Sequence, residues 1–88
     1  MRYAVQFLPE ARDAISFLIA GARDGEYLSE CVARIHERLK QDPYAVGEGF
    51  EDPSARRLTE GPLFVLYYVE DFKRRVRIVA VRRVREPW

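Results

Sequence analysis

The fold of this chain is decided by the segment from Arg56 to Arg85, which reads RRLTEGPLFVLYYVEDFKRRVRIVAVRRVR. Two apolar runs rich in β-branched and aromatic residues flank the polar turn 70–73, and this pattern predicts a β-hairpin. The first run, Leu63–Val69, is nearly all apolar, so we expect a central strand that is buried on both faces. Arginines occupy much of the remainder. Because they lie on the predicted sheet, we expect a surface that binds an anionic partner.

Two further strands are predicted beside this central strand. A short strand covers Ala55–Glu60 and is joined to the central strand by a turn at Gly61-Pro62. The last strand covers Arg75–Val84 and has a period of two. One of its faces is expected to carry Val76, Ile78 and Ala80, and the other Arg77, Val79, Val81 and Arg83.

The N-terminal half is predicted to contain one strand and two helices. The strand covers Arg2–Leu8 and ends at Pro9, a residue that suits the first turn of a helix. Apolar residues then recur at helical spacing in two stripes. The first stripe comprises Ala11, Ala14, Ile15, Leu18, Ile19 and Ala22, and the second comprises Leu28, Cys31, Val32, Ile35 and Leu39. Asp42-Pro43 ends the second helix, because a residue before proline is disfavoured in helical geometry.

The resulting order, β-α-α-β-β-β, predicts an α+β fold. The segment 43–54 contains two Pro and two Gly and is expected to form a long ordered loop. With only two helices, the expected packing is a helical hairpin on one face of an antiparallel-rich sheet. The opposite face, or the groove at its edge, is then left for partners.

Charge and composition narrow the class of protein. The 88 residues predict one small domain that spans 1–88. Residues 1–54 carry six Lys and Arg against ten Asp and Glu, whereas residues 55–88 carry nine against four. This asymmetry favours a nucleic acid or an acidic protein as partner. Without a long apolar stretch or the pattern of a secretory signal, a cytoplasmic protein that does not enter a membrane is expected. Neither a metal nor a cofactor is expected, since His36 has no second His or Cys at ligand spacing.

Several short pieces of the chain occur in a recognisable order. They are Phe7-Leu8-Pro9-Glu10-Ala11, Leu39–Pro43, Arg56-Arg57-Leu58, Val65–Asp71 and Val76–Arg83. In this order they resemble the RelE/ParE superfamily of toxins, over almost the whole chain. The resemblance implies a RelE-like toxin fold and the toxin half of a type II toxin–antitoxin module, of the kind that stabilises plasmids. Such toxins are held inactive by a cognate antitoxin whose C-terminal segment wraps around them.

The resemblance leaves the activity open. RelE-like members cleave mRNA in the ribosomal A site, whereas ParE-like members poison DNA gyrase without known nuclease chemistry. RelE-like sequences usually carry an arginine three residues before the Tyr of a Tyr-x-Val strand, and this chain has Phe64 ahead of Tyr67-Tyr68-Val69. This departure argues for a gyrase inhibitor. A member that has kept the fold and lost toxicity is a third alternative.

We favour mRNA cleavage as the activity, because the chain carries arginines at the usual basic positions of RelE-like toxins. Attack by a 2′-hydroxyl needs a base for that hydroxyl and cationic donors for the phosphate. The predicted catalytic residues are Arg57, Arg83 and Glu51, and the predicted substrate-binding residues are Arg56, Arg82, Arg85 and Tyr68. Glu48 and Asp52 are the alternative carboxylates of the loop. The arginines at 56, 57, 82 and 83 are expected to project from adjacent strands and to converge.

Overall fold

The secondary structure follows the predicted order, with one additional strand. The computed structural model describes residues 2–45, 47–49 and 54–84. The described elements are β1 (Ala4–Phe7), α1 (Pro9–Ala20), α2 (Gly25–Gln41), β2 (Glu48–Gly49), β3 (Ala55–Glu60), β4 (Leu63–Glu70), a 3-10 turn (Asp71–Lys73) and β5 (Arg75–Arg83). In this part of the chain the strands form one sheet in the order β1-β5-β4-β3-β2. Strand β1 runs parallel to β5, and the other pairs are antiparallel.

The ends of the helices lie where the sequence predicts them. Pro9 is the first residue of α1, where its missing N–H costs no helical hydrogen bond. Helix α2 ends at Gln41, and Asp42 before Pro43 has extended backbone angles. Gly21–Asp24 joins the two helices, so the predicted helical hairpin is confirmed. Within the described residues, neither α1 nor α2 has the length and apolar composition of a membrane-spanning helix.

The core lies between the helices and one face of the sheet. Helix α2 contributes four of its buried residues at the predicted helical spacing, Leu28, Cys31, Ile35 and Leu39. The sheet contributes Leu58, Leu63, Val65, Tyr67, Val69, Val76, Ile78 and Val81, which we name the helix-packed face. Because successive residues of a strand point to opposite sides, the residues between these form a second face. We name this second face, with Arg57, Thr59, Phe64, Leu66, Tyr68, Glu70, Arg75, Arg77, Ala80 and Arg82, the open face.

Strand β4 is central, as predicted, but it is not buried on both faces. It pairs with β3 on one side and with β5 on the other. On the helix-packed face its residues are buried, whereas on the open face Phe64 and Leu66 are half-buried and Tyr68 is exposed. Both helices lie on the same face of the sheet, and no other described element covers the open one. The apolar run therefore exposes one of its two sides.

A β-bulge changes the predicted alternation of β5. Leu66 pairs with Ala80 and Tyr67 pairs with Ile78, so Val79 is an extra residue on β5. From this point the side chains change faces. Val81 joins the core, which makes the predicted grouping of Ile78 with Ala80 wrong. The same shift turns Arg82 to the open face.

The predicted loop 43–54 also contains a short strand. Glu48 pairs with Arg57, and Gly49 pairs with Arg56. Two residues are too few to give a periodic signal in the sequence, so this strand could not be predicted. Its pairing fixes the position of Glu48 at the edge of the sheet beside Arg57.

Candidate functional site

The four central arginines do not converge, contrary to prediction. Arg57 and Arg82 lie on the open face, whereas Arg56 and Arg83 lie on the opposite side of the sheet. Neighbouring residues of a strand point to opposite faces, so each Arg-Arg pair is divided. Strands β3 and β5 are also separated by β4, which places their backbones about 10 Å apart. The open face therefore receives one arginine from each pair.

Arg83 is held by an ion pair on the helix side of the sheet. Its two terminal nitrogens donate to the two carboxylate oxygens of Asp24, each at 2.9 Å. This hydrogen bonding lowers the pKa of the Asp24 carboxyl below its ordinary value. Asp24 precedes α2, so the bidentate pair ties the end of β5 to the connection between the helices.

Arg56 holds the loop that follows α2. Its guanidinium donates to the carbonyl oxygens of Tyr44, at 2.8 Å, and Gly47, at 2.6 Å. It also lies over the ring of Tyr44, with its central carbon 5.3 Å from the ring centroid. These contacts engage Arg56 with the protein itself. They give it a role in positioning the loop, while its predicted role in substrate binding stays a prediction.

The same loop has other attachments to the sheet. The hydroxyl of the buried Tyr67 donates to the Pro43 carbonyl at 2.6 Å, and burial raises the pKa of Tyr67. Asp42 accepts the N–H groups of Tyr44 and Ala45. Gly47 approaches β3 so closely that an added Cβ would lie 2.7 Å from the Arg57 carbonyl oxygen. The loop is therefore packed against the sheet immediately before Glu48.

Glu48 and Arg57 form the polar part of a depression at the edge of the open face. A terminal nitrogen of Arg57 lies 3.4 Å from a carboxylate oxygen of Glu48. The depression has a volume of about 190 Å³, and Thr59 and Phe64 also line it. The structure thus brings together a carboxylate and a guanidinium on a surface open to solvent. The predicted Glu51 and Arg85 lie outside the described residues.

A second group of charges lies at the hairpin end of the open face. Glu70 accepts hydrogen bonds from Arg75 at 3.1 and 3.2 Å and lies 3.5 Å from Arg77. Lys73 is 4.0 Å from the same carboxylate. Arg75, followed by the other cations, lowers the pKa of Glu70. Three cations around one carboxylate leave this end of the face positively charged.

Tyr68 lies between the two charged regions. Its side chain is 42% exposed, although it belongs to the central strand. It lines a depression of about 280 Å³ with Ala55 and Leu66, and another of about 320 Å³ with Arg77. Val79, the extra residue of the bulge, lines both. The middle of the open face is therefore apolar and accessible.

A hydrogen-bonded network that the sequence did not reveal joins the loop to the hairpin. Asp71 accepts the hydroxyls of Tyr3 and Tyr44, both at 2.7 Å. The hydrogen bond to Asp71 raises the pKa of Tyr44 to about 12, and the two hydroxyls lower the pKa of Asp71. Arg74 lies over the Tyr3 ring. These residues are far apart in sequence and carry no local motif, so only the fold brings them together.

The described residues contain no group of His, Cys, Asp and Glu side chains that could hold a metal ion. The polar groups of the open face are instead guanidiniums, carboxylates, a hydroxyl and a phenol. These are groups that bind phosphate or accept and donate protons.

Comparisons with known proteins rest on structure, because no family model and no curated protein matches the chain. A chain of the RelBE2 toxin–antitoxin complex from Mycobacterium tuberculosis is similar, with a TM-score of 0.77 and 24% identity over 94% of this chain and 92% of that one. A chain of the ParDE system from P. aeruginosa has a TM-score of 0.73 and 16% identity, with 96% and 98% covered. The isolated E. coli RelE toxin has a TM-score of 0.64 and 17% identity, with 97% and 87% covered.

These structures share the fold of this chain over nearly its full length, since the matched regions cover most of each of the two chains compared. The sequence identities are low, so the comparison establishes only the fold. Any chemical activity has to be argued from the residues of this chain. The two helices on a mixed five-stranded sheet correspond to the fold implied by the sequence pattern. The chain therefore has the RelE-like fold of the RelE/ParE toxins.

Proposed function

We propose that this chain is the toxin of a type II toxin–antitoxin module and that it cleaves mRNA on the ribosome. The observation that carries the proposal is the Glu48–Arg57 pair, which lies on the open face of a RelE-like fold. The similar chains from RelBE and ParDE complexes support a cognate antitoxin as partner. The proposed substrate places the action in the cytoplasm, and the arrangement requires no cofactor.

The proposed reaction is attack of a ribose 2′-hydroxyl on the adjacent phosphorus. The carboxylate of Glu48 removes the proton of this hydroxyl, and a bond forms between the 2′-oxygen and phosphorus. The bond from phosphorus to the 5′-oxygen breaks, and the leaving oxygen takes a proton from solvent. The products are a 2′,3′-cyclic phosphate and a 5′-hydroxyl. Glu51, the base that the sequence predicts, lies outside the described residues and stays a prediction.

Arg57 supplies the charge that this reaction needs. Its guanidinium can bind two phosphate oxygens and stabilise the charge that develops on them. Arg82 faces the same side of the sheet, and its long side chain can approach the phosphate from β5. Arg83 lies on the other side in a pair with Asp24, so Arg82 is the better partner for Arg57. A catalytic role for Arg83 stays a prediction.

Phe64 favours a second candidate function. It lies on the open face beside Thr59 and Arg82, where RelE-like sequences usually carry an arginine. An aromatic residue there removes one phosphate-binding group and adds apolar surface. This change fits a ParE-like protein that inhibits DNA gyrase by binding, so gyrase inhibition is the alternative outcome of the test.

The test is induction of the chain in a bacterial host, followed by mapping of the 5′ ends of abundant mRNAs. New ends within translated regions, lost with Arg57→Ala and with Glu48→Gln, are expected. The control is Arg12→Ala, which removes an exposed positive charge from α1, away from the open face. Growth arrest with intact mRNA and DNA-damage signalling would replace the proposal by gyrase inhibition. Normal growth with intact mRNA would show a toxin fold without toxicity.

A further inference from the structure

Tyr68 has the surroundings of a stacking platform. Its ring is accessible, and it lines two depressions of about 280 and 320 Å³. Most of the lining of the smaller depression is apolar and includes Ala55, Leu66 and Val79, with Arg56 also among its residues. A flat ring with apolar neighbours and open space beside it can accept a planar aromatic ligand face to face. The larger depression, of about 320 Å³, extends as far as Leu8, which directly follows β1.

Cations follow this platform toward the hairpin. Arg77 is the cross-strand partner of Tyr68, and Arg75 lies two residues further along the same face of β5. The two arginines are therefore about 7 Å apart along the strand. Their terminal groups and Lys73 share the single carboxylate of Glu70, which neutralises only part of their charge. The cations therefore form a row with a net positive charge.

An aromatic platform beside a row of cations has the chemistry of a single-stranded nucleic acid site. Bases stack on accessible aromatic rings, and phosphates along the backbone bind successive arginines. An acidic peptide would satisfy the arginines, but it would leave the ring of Tyr68 and the apolar depressions without a matching group. The combination favours a nucleic acid over an acidic segment.

The position of Tyr68 relates this platform to the Glu48–Arg57 pair. Leu66 pairs with Arg57, and Tyr68 is two residues along the same face, which corresponds to about 7 Å. A base on Tyr68 would therefore belong to a nucleotide next to the phosphate held by Arg57. Arg77 lies opposite Tyr68 on β5, and Arg75 lies two residues further in the same direction.

We propose that Tyr68, Arg77 and Arg75 form a single-stranded RNA subsite beside the Glu48–Arg57 pair. One base stacks on Tyr68, and the phosphates that follow bind Arg77 and Arg75. This inference rests on the proposed function, because it extends the substrate of the same open face. In this arrangement, the hairpin end of β5 binds the part of the RNA that lies on one side of the cleaved bond.

The experiment measures binding of a short fluorescent 2′-O-methyl RNA, which has no free 2′-hydroxyl and cannot be cleaved. Fluorescence anisotropy at several salt concentrations gives the affinity and its salt dependence. Tyr68→Ala should weaken binding about tenfold, whereas Tyr68→Phe should retain most of it because the ring remains. Arg77→Ala should weaken binding and lower the salt slope by about 0.7.

Two matched variants on the helices serve as controls. Phe17→Ala removes an aromatic ring that is 78% exposed, and Arg12→Ala removes an exposed arginine, both away from the open face. Both should bind the RNA as the unmodified chain does. Because Tyr68 is 42% exposed, its replacement should lower the melting temperature by only a few degrees and leave the chain folded. Arg77→Ala gives an independent result.

The outcomes separate the subsite from the proposed function. Equal affinity for the unmodified chain and Tyr68→Ala, or an unmodified chain that does not bind the RNA, would overturn the subsite whatever the cells show. Polyglutamate serves as a competitor for the RNA. If it displaces the RNA, and if Tyr68→Ala weakens polyglutamate binding as much as RNA binding, the surface would be assigned to an acidic peptide instead. Weakened binding in Tyr68→Ala and Arg77→Ala with intact cellular mRNA would support the subsite and overturn the cleavage.

Discussion

The two faces of the sheet differ although the same strands build them. On the helix-packed face the apolar side chains of β4 are buried under α1 and α2, and Leu63, Val65 and Tyr67 are at most 1% exposed. On the open face the intervening residues Phe64 and Leu66 are equally apolar but only half-buried. Apolar character alone therefore does not decide which side of a strand is stabilised by packing. The side without helices keeps part of its apolar surface accessible to solvent.

The largest expected difference between the faces concerns two leucines of the same strand. Leu63→Ala removes a fully buried side chain and should lower the free energy of unfolding by about 3 kcal/mol. Leu66→Ala removes a half-buried side chain from the open face and should cost about 1 kcal/mol. Urea unfolding of the two variants measures this difference. Equal losses would show that the open face is packed as tightly as the other.

A second comparison uses the neighbouring arginines of β5. Arg82→Ala should lower mRNA cleavage about tenfold without a change in melting temperature, since this side chain faces the open side. Arg83→Ala should instead lower the melting temperature slightly, because Asp24 loses its partner.

Asp24→Asn is the control for this pair. It should reproduce the effect of Arg83→Ala on stability, while both variants should retain cleavage. Loss of cleavage in Arg83→Ala alone would restore Arg83 as the catalytic residue that the sequence suggested.

A smaller effect is expected where the loop meets the helix-packed face. Tyr67→Phe keeps the buried ring but removes the hydroxyl that donates to the Pro43 carbonyl. The free energy of unfolding should fall by about 1 kcal/mol, since the buried carbonyl loses its donor. Chemical denaturation measures this loss. Tyr68→Phe, the matched change on the open face, should have no measurable effect on stability.

The smallest expected effect is a dependence of stability on pH. The pKa of Tyr44 is raised to about 12, so its hydrogen bond to Asp71 stabilises the fold fully below the ordinary tyrosine pKa of about 10. This contribution is lost as the pH rises from there through about 12. Asp71, with a lowered pKa, stabilises the fold above the ordinary aspartate pKa of about 3.9 and loses its contribution below it.

Tyr44→Phe isolates the alkaline part of this dependence. The variant should unfold at lower urea concentration at neutral pH, and the difference from the unmodified chain should shrink above about pH 10. Unfolding curves recorded across this range measure the difference. A difference in stability that stays constant at all pH values would mean that the stabilisation by Tyr44 does not depend on the proton of its hydroxyl.

Local patterns in the sequence predict most of the elements. Pro9, the Asp42-Pro43 pair and the helical stripes place both helices, because capping and periodicity act within a few residues. The bounds of β3 agree with the prediction residue by residue. These features depend on local geometry, which neighbouring residues determine.

The candidate site was predicted less completely, because its geometry depends on distant pairings. The bulge at Val79 is set by the register between β4 and β5, and it decides on which side Arg82 and Arg83 lie. Glu48 reaches Arg57 through a two-residue strand with no periodic signal. The sequence predicts that arginines contribute to the site and on which strands they lie. It does not predict on which face of the sheet each arginine lies.

The parallel pairing of β1 with β5 has a consequence for the order in which the chain can fold. Ala4 pairs with Arg75 and Phe7 pairs with Ile78. Strand β1 therefore cannot pair until β5, the last of the five described strands along the chain, has been synthesised. Contacts between such distant segments slow folding, since a long loop must close before they form. Chains whose synthesis stops before Arg75 would lack the neighbour of both β1 and β4. During translation, then, the five-stranded sheet that carries the proposed RNA subsite would arise only after nearly all of the described residues have left the ribosome.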